Sequence, residues 1–265
     1  MKKLLPIFLI LLFITGCQET RSNNQVTTNI EMMEQTGIQE LQDESIPEQP
    51  AMPVVGNSKL IVIDPGHQRY GNSDQEPIGP GASQTKAKVT SGATGIKSGK
   101  LESQINLEVG LKLKTKLEAS GYQVIMVRES QDVNISNKER AMLANDSKAA
   151  AFIRLHCNSD DSSSVNGTLT MAPSKNNQYC SMIADASQQL SKKVLNNICN
   201  QTGSKNRGVL ISDTMSGINW CLVPVTIVEM GFLSNYNEDY LLGNSDYQDK
   251  IVNGIVLGIN EFLEN

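Results

Sequence analysis

The segment "LIVIDPGHQRYG", Leu60 to Gly71, decides how the rest of the chain is read. Leu60 to Ile63 form an apolar run without alternation, the pattern of a strand buried on both faces. Asp64 and the Pro65–Gly66 turn end it, and His67 follows at once, one of only 2 histidines in the chain. A strand of that kind needs helices above and below it, and the sequence supplies them. "LESQINLEVGLKLKTKLEASG" places Leu101, Ile105, Val109, Leu113 and Leu117 four residues apart, a helix closed by Gly121 as a left-handed cap. "YQVIMV" reads as the second strand. "SNKERAMLAND" has Ser136 and Glu139 in capping-box spacing and opens a second helix. "AAAFIRLH", Ala149 to His156, is the third strand, and "GTLTMA" and "GVLIS" are short ones. Gln178 to Thr202 reads as a long helix, "VPVTIVEMG" from Val223 to Gly231 as the last strand, and "DKIVNGIVLGINEFLEN" as an amphipathic closing helix. The alternation predicts an α/β domain with a largely parallel sheet and helices on both faces. Gln68 to Gly99, rich in Gly, Ser and Pro, reads as one long functional loop.

Composition narrows the partners. The 265 residues are 39% hydrophobic and 19% charged, values of a globular protein, and a net charge of -5 leaves no basic footprint for nucleic acid. Residues 1–17 resemble a bacterial lipoprotein signal peptide. Lys2 and Lys3 precede an apolar stretch too short to span a bilayer comfortably, and "FITGC" places Gly16 before Cys17. The resemblance implies cleavage ahead of Cys17 and diacylation of its thiol, anchoring the chain at the outer face of a membrane. Residues 18–57 lack Phe, Tyr and Trp and are rich in Gln, Glu, Asn and Thr, the composition of a disordered tether. Residues 58–265 are left as the folded domain. Cys157, Cys180, Cys199 and Cys221 show no CxxC or C-x-H spacing, which excludes a zinc knuckle and favours free, buried thiols.

Parallel sheets of this class bind ligands at the carboxyl ends of their strands. His67 follows the first strand there, His156 closes the third, and Glu229 closes the last. Two imidazoles and one carboxylate, with a fourth position open, are a ligand set of catalytic zinc. No HExxH motif fixes the third ligand, so Glu102, Glu76 and Glu229 all remain open to it on pattern alone.

In chain order, "IVIDPGHQ", "GATGIKSGKLESQINLEV", "AFIRLHCNS" and "VPVTIVEMGFLSN" resemble the motifs of zinc-dependent N-acetylmuramoyl-L-alanine amidases of bacterial cell walls. The resemblance runs from Lys59 to the C-terminus. It implies a mixed, mostly parallel sheet between helices, one Zn2+ held by His67, Glu102 and His156, and Glu229 as the catalytic acid–base group. The implied substrate is peptidoglycan, cut between N-acetylmuramic acid and the L-alanine of the stem peptide. Two departures stand out. The 68–99 segment is longer than in many members, and Arg154 occupies a position where a small residue is common. Strand alternation puts Arg154 on the same side as His156, within reach of the site or its rim, and turns Cys157 away. Asp64 either orients His67 through its second nitrogen or caps the turn. The rivals are a non-catalytic wall-binding lipoprotein on the same fold and a zinc peptidase cutting within the stem. A serine or cysteine hydrolase is the weakest option, since no GxSxG elbow appears and Cys157 is badly placed, and a glycosidase would need two carboxylates across a cleft, whereas Asp160 and Asp161 are neighbours in a polar loop.

Overall fold

Alternating side chains on the central strands feed two hydrophobic layers of unequal thickness. The computed structural model describes residues 57–264. The stretches expected to be a signal peptide and a tether, Cys17 included, lie up to residue 56 outside the described residues. The sheet strands are β1 (Asn57–Pro65), β4 (Gln123–Met126), β5 (Ala149–Asn158), β6 (Thr168–Ala172), β7 (Asn206–Ile211) and β8 (Val225–Phe232). The remaining two, β2 (Asn72–Pro77) and β3 (Thr85–Val89), pair separately. The helices are α1 (Glu102–Ala119), α2 (Asn137–Asp146), α3 (Ala184–Thr202), the single turn α4 (Ser216–Asn219), α5 (Tyr236–Leu242) and α6 (Ser245–Leu263).

The six-stranded sheet has the order β4-β1-β5-β8-β6-β7. All neighbours are parallel except β6 and β8, so the sheet is mixed and mostly parallel, as expected. Ile61 and Ile63 of β1, Ile153 and Leu155 of β5, and Val228 and Met230 of β8 face α1, α3 and α6. Val62, Phe152 and Ile227, one residue out of step, face the thinner layer with Ala141 and Ala144 of α2 and Ile218 of α4. This second layer leaves the carboxyl ends of β1, β5 and β8 uncovered enough to hold polar groups.

Local signals explain the helix ends. Ser136 caps α2 in a full capping box with Glu139, as the spacing predicts. Gly121 adopts φ 85 just past α1, the left-handed stop read from the sequence. Three elements differ from the expectation. The 68–99 segment is not a plain loop but carries the β2–β3 hairpin, whose strands alternate little and are mostly exposed. The α3 helix begins at Ala184 rather than Gln178, after a 3-10 turn at Ser181–Ile183. The α5 helix, capped by Asn235, was not anticipated. No disulfide joins the four described cysteines, and Cys157, Cys180 and Cys221 are buried.

Candidate metal centre

The β1–turn–histidine segment bends sharply. His67 sits at φ 59, left-handed backbone that a non-glycine residue adopts only where its surroundings hold it. Its Nδ1 donates to the Thr90 carbonyl at 2.8 Å, which fixes the tautomer and leaves Nε2 a bare lone pair. His156, at the end of β5, brings Nδ1 to 3.2 Å from that atom. Glu102 opens α1 with its backbone N–H bonded to Ala93 O at 2.9 Å, and its Oε1 lies 3.1 Å from both histidine nitrogens. No other His, Cys, Asp or Glu group among the described residues converges in this way.

The donor set fits a divalent cation. Two imidazole lone pairs and a carboxylate oxygen repel at this spacing unless a positive centre lies between them. Atoms 3.1–3.2 Å apart are each about 2 Å from a common point just off their plane, the bond length zinc makes to N and O. Two glycines make room. A Cβ on Gly92 would come within 2.8 Å of Glu102 Oε2 and 2.9 Å of the His67 ring, and one on Gly66 would overlap the His156 ring.

The charge states suit ligation. Burial pushes His156 down to about 4, against the pull of Glu102, so its imidazole is neutral at pH 7. Burial would raise Glu102, but the adjoining His156 and His67 rings outweigh it and hold the carboxyl well below the usual range. Its orientation is fixed by Ala93 N–H on Oε2 (2.8 Å), Cys157 N–H on Oε1 (3.1 Å) and Asn106 Nδ2 on Oε1 (3.4 Å). Asn106 lies four residues along α1, on the same helix face.

Glu229 stands beside this triad and apart from it. It pairs in register with His156 across β5 and β8, and its Oε2 is buried with no hydrogen-bond partner. Burial, reinforced by the nearby Glu102, pushes its carboxyl up to about 8. Glu76, the other open candidate for third ligand, is on β2, where it accepts from Lys138 N–H at 3.1 Å. Asp160 and Asp161 are exposed. Cys157 points into the helix-rich layer, and burial raises its thiol well above the ordinary value, which leaves it inert.

Asp64 takes neither position the sequence left open. Its Oδ1 meets Arg140 Nη1 at 2.6 Å and its Oδ2 meets Arg154 Nε at 2.9 Å, all three side chains being buried. Burial would raise this carboxyl, but the two guanidiniums more than reverse the effect and hold it below the carboxylate range. The partner of the second nitrogen of His67 is instead the Thr90 carbonyl. Arg140 also reaches the His67 carbonyl at 3.1 Å, so the ion pair supports the strained turn through backbone oxygens. Arg128 does the same for Pro65 O (2.8 Å) and Gly66 O (3.1 Å). Sequence reading passed over both arginines, because charge on a helix or at a strand end normally marks solvent.

The triad and Glu229 open into a cleft of roughly 440 Å³. Its lining includes the buried Arg154, the exposed Lys86 of β3, and Met215 and Gly217.

Residues 61–261 match the family model described as N-acetylmuramoyl-L-alanine amidase. The chain is 30% identical over 203 residues to the N-acetylmuramoyl-L-alanine amidase LytC of Bacillus subtilis (strain 168), an alignment covering 77% of this chain and 35% of that protein. The chain thus spans about a third of the length of that relative. It is 28% identical over 232 residues to the germination-specific N-acetylmuramoyl-L-alanine amidase of the same organism, covering 80% of this chain and 82% of the relative. Among solved structures it resembles the catalytic domain of CwlV, an N-acetylmuramoyl-L-alanine amidase from Bacillus (Paenibacillus) polymyxa var. colistinus. That match has a TM-score of 0.63 at 28% identity and covers 78% of this chain and 98% of the other.

Proposed function

Because the chain belongs to the N-acetylmuramoyl-L-alanine amidase family, we propose that it hydrolyses the amide joining N-acetylmuramic acid to L-alanine in peptidoglycan, with one Zn2+ held by His67, Glu102 and His156. One observation supports this most directly. Three donor atoms converge at 3.1–3.2 Å, and an unpartnered carboxyl stands in register with one of them.

An amide resists water because water is a poor nucleophile and the amine a poor leaving group. Zinc bound at the triad supplies a Lewis acid and lowers the pKa of water towards about 7. His67 and His156 would hold the metal through imidazole nitrogens, and such a centre would be more cationic than one held by thiolates. Glu229 receives the proton of the attacking water and passes it to the departing alanine nitrogen. Burial raises the proton affinity of this carboxyl, and a cation at the triad would oppose that rise and favour the carboxylate that accepts the proton.

We place the enzyme in the cell envelope outside the cytoplasm. Cys17 is its lipidation site, and residues 18–57 tether the domain.

Metal analysis with identification of the new chain ends tests the reading. Amidase action frees an alanine amine and leaves the lactyl acid on the sugar, whereas a peptidase leaves the sugar–alanine bond intact. Glu229→Gln is expected to keep zinc and lose turnover by about 10²–10⁴-fold. His67→Ala and His156→Ala are expected to lose both metal and turnover. A Glu229→Gln enzyme with undiminished amidase activity sinks the assignment.

A further inference from the structure

The cleft contains more positive charge than the proposed chemistry uses. Among the described residues Asp64 is the only carboxylate bonded to Arg140 and Arg154, so two buried guanidiniums share one negative charge. Arg154 spends Nε on Asp64 and Nη2 on Asn137 Oδ1 at 2.9 Å, while its Nη1 has no partner among the described residues. That nitrogen lies against Gly217 in the cleft wall, where any Cβ would overlap the guanidinium. Lys86, exposed on β3, lines the same cleft, with one bond from Nζ to the Thr214 carbonyl at 2.8 Å and further donors to spare. A buried cation and an exposed one lining one cleft are suited to a carboxylate.

We infer that Arg154 and Lys86 form a subsite for a free carboxylate on the peptide side of the scissile amide; this rests on the amidase reading. Along β5, Arg154 and His156 are two residues apart on the same face, about 6.6 Å. An extended peptide advances by nearly the same distance over two residues. With the scissile amide at His156 and Glu229 and the peptide running along the strand, the residue after L-alanine lies level with Arg154. The ligand class is therefore a stem whose second residue keeps its α-carboxylate ionised, in preference to one where that group is an amide.

The simplest rival is that Arg154 serves only to balance the nearby carboxylate of Glu229. Both substrates would then slow by the same factor on substitution, and their ratio would not move. The test compares kcat/KM of the zinc-loaded protein on N-acetylmuramoyl-L-alanyl-D-glutamate and on its α-amide, the D-isoglutamine compound. Wild type is expected to prefer the acid by about tenfold or more, a modest return for two charge-assisted hydrogen bonds. Lys86→Met, at an exposed position, is expected to cut the preference to about threefold. Arg154→Gln, where circular dichroism shows it folded, is expected to bring the preference close to unity. Calorimetry on the metal-free wild-type protein with the free dipeptide L-alanyl-D-glutamate and its α-amide, L-alanyl-D-isoglutamine, reads the same preference without turnover. Equal rates on the two substrates, equal dipeptide affinities, or a ratio unmoved by Lys86→Met overturns the subsite. Failure to cleave either substrate while the acid dipeptide still binds tighter instead overturns the amidase reading and leaves the carboxylate subsite standing.

Discussion

Gly66 offers a way to disturb the metal centre without touching a ligand. Its φ is not in the left-handed region, so its backbone accepts alanine. The space does not. A Cβ there would overlap Cε1 and Nε2 of His156 and lie 2.6 Å from Leu155 O. The carbonyl cannot yield easily, because it accepts the Gly66 N–H at 2.8 Å and belongs to the β1–β5 pairing. The ring must therefore move, by about 1 Å to restore ordinary contact. A shift of that size is half of a zinc–nitrogen bond, so Nδ1 leaves its place 3.1 Å from Glu102 Oε1. We expect Gly66→Ala to cost the metal-free fold about 1–3 kcal/mol by overpacking. Zinc affinity should fall by at least about 10–100-fold. Competition with a chromophoric chelator reads the affinity, and thermal melting of chelator-treated protein reads the fold. Gly243→Ala is the control, since its added Cβ meets nothing closer than 3.6 Å. Wild-type zinc affinity in Gly66→Ala, alongside a lowered apo melting temperature, would refute the placement of His156 as a ligand.

Two further outcomes follow from the buried charges. Asp64→Ala strips the shared counter-charge from Arg140 and Arg154 and should destabilise the protein by about 3–5 kcal/mol in urea titration. Because the folded pKa of Asp64 is held below the ordinary 3.8, its contribution is present above that pH and fades as the pH drops. The difference between variant and wild type should therefore shrink in acid. Glu229 has the opposite sign. Its folded carboxyl, near 8 instead of 4.5, binds more protons than the unfolded one between those values, so wild-type stability declines as the pH rises through that window. In metal-free protein Glu229→Gln should gain melting temperature over wild type between pH 5 and about 8.5, and a pH-independent difference would contradict the burial of that carboxyl.

The strands and main helices were legible because each answers to a local rule. Ile61 and Ile63 advertise burial, Ser136 and Glu139 form a cap, and Gly121 ends a helix by its backbone freedom. The β2–β3 hairpin answers to none. Its strands, "NSDQEP" and "TKAKV", are short, bury one side chain each, and are held by distant groups. Trp220 Nε1 bonds Pro77 O at 2.9 Å, and Asn137 Nδ2 bonds Lys88 O at 2.9 Å. The triad residues were nominated by motif, and the structure brings their donor atoms together. The groups that aim them were invisible for a different reason. Thr90 acts on His67 through a carbonyl, which every residue has, and Arg140 is a fully buried charge on a helix.

Strand parity ties the proposed chemistry to the fold. On β1 and β5 the odd positions from Ile61 to Leu155 build the thick layer, so the even positions Asp64, Arg154 and His156 must face the thin one. On β8, Val228 and Met230 fix the phase, and Glu229 follows to the thin side in register with His156. A slip of one residue in β5 would drive Arg154 and His156 among leucines and isoleucines and turn Ile153 and Leu155 towards the cleft. The cost of that slip is what keeps the donor atoms registered to a few tenths of an ångström. Parity also sets a cost of its own, since it places ionisable groups on a buried sheet face. Asp64 with its two arginines offsets that cost at the strand ends, and a cation at the triad would offset it at His156 and Glu102. Metal binding and fold stability should therefore be coupled, and zinc should raise the melting temperature of the wild type while leaving that of His156→Ala nearly unchanged.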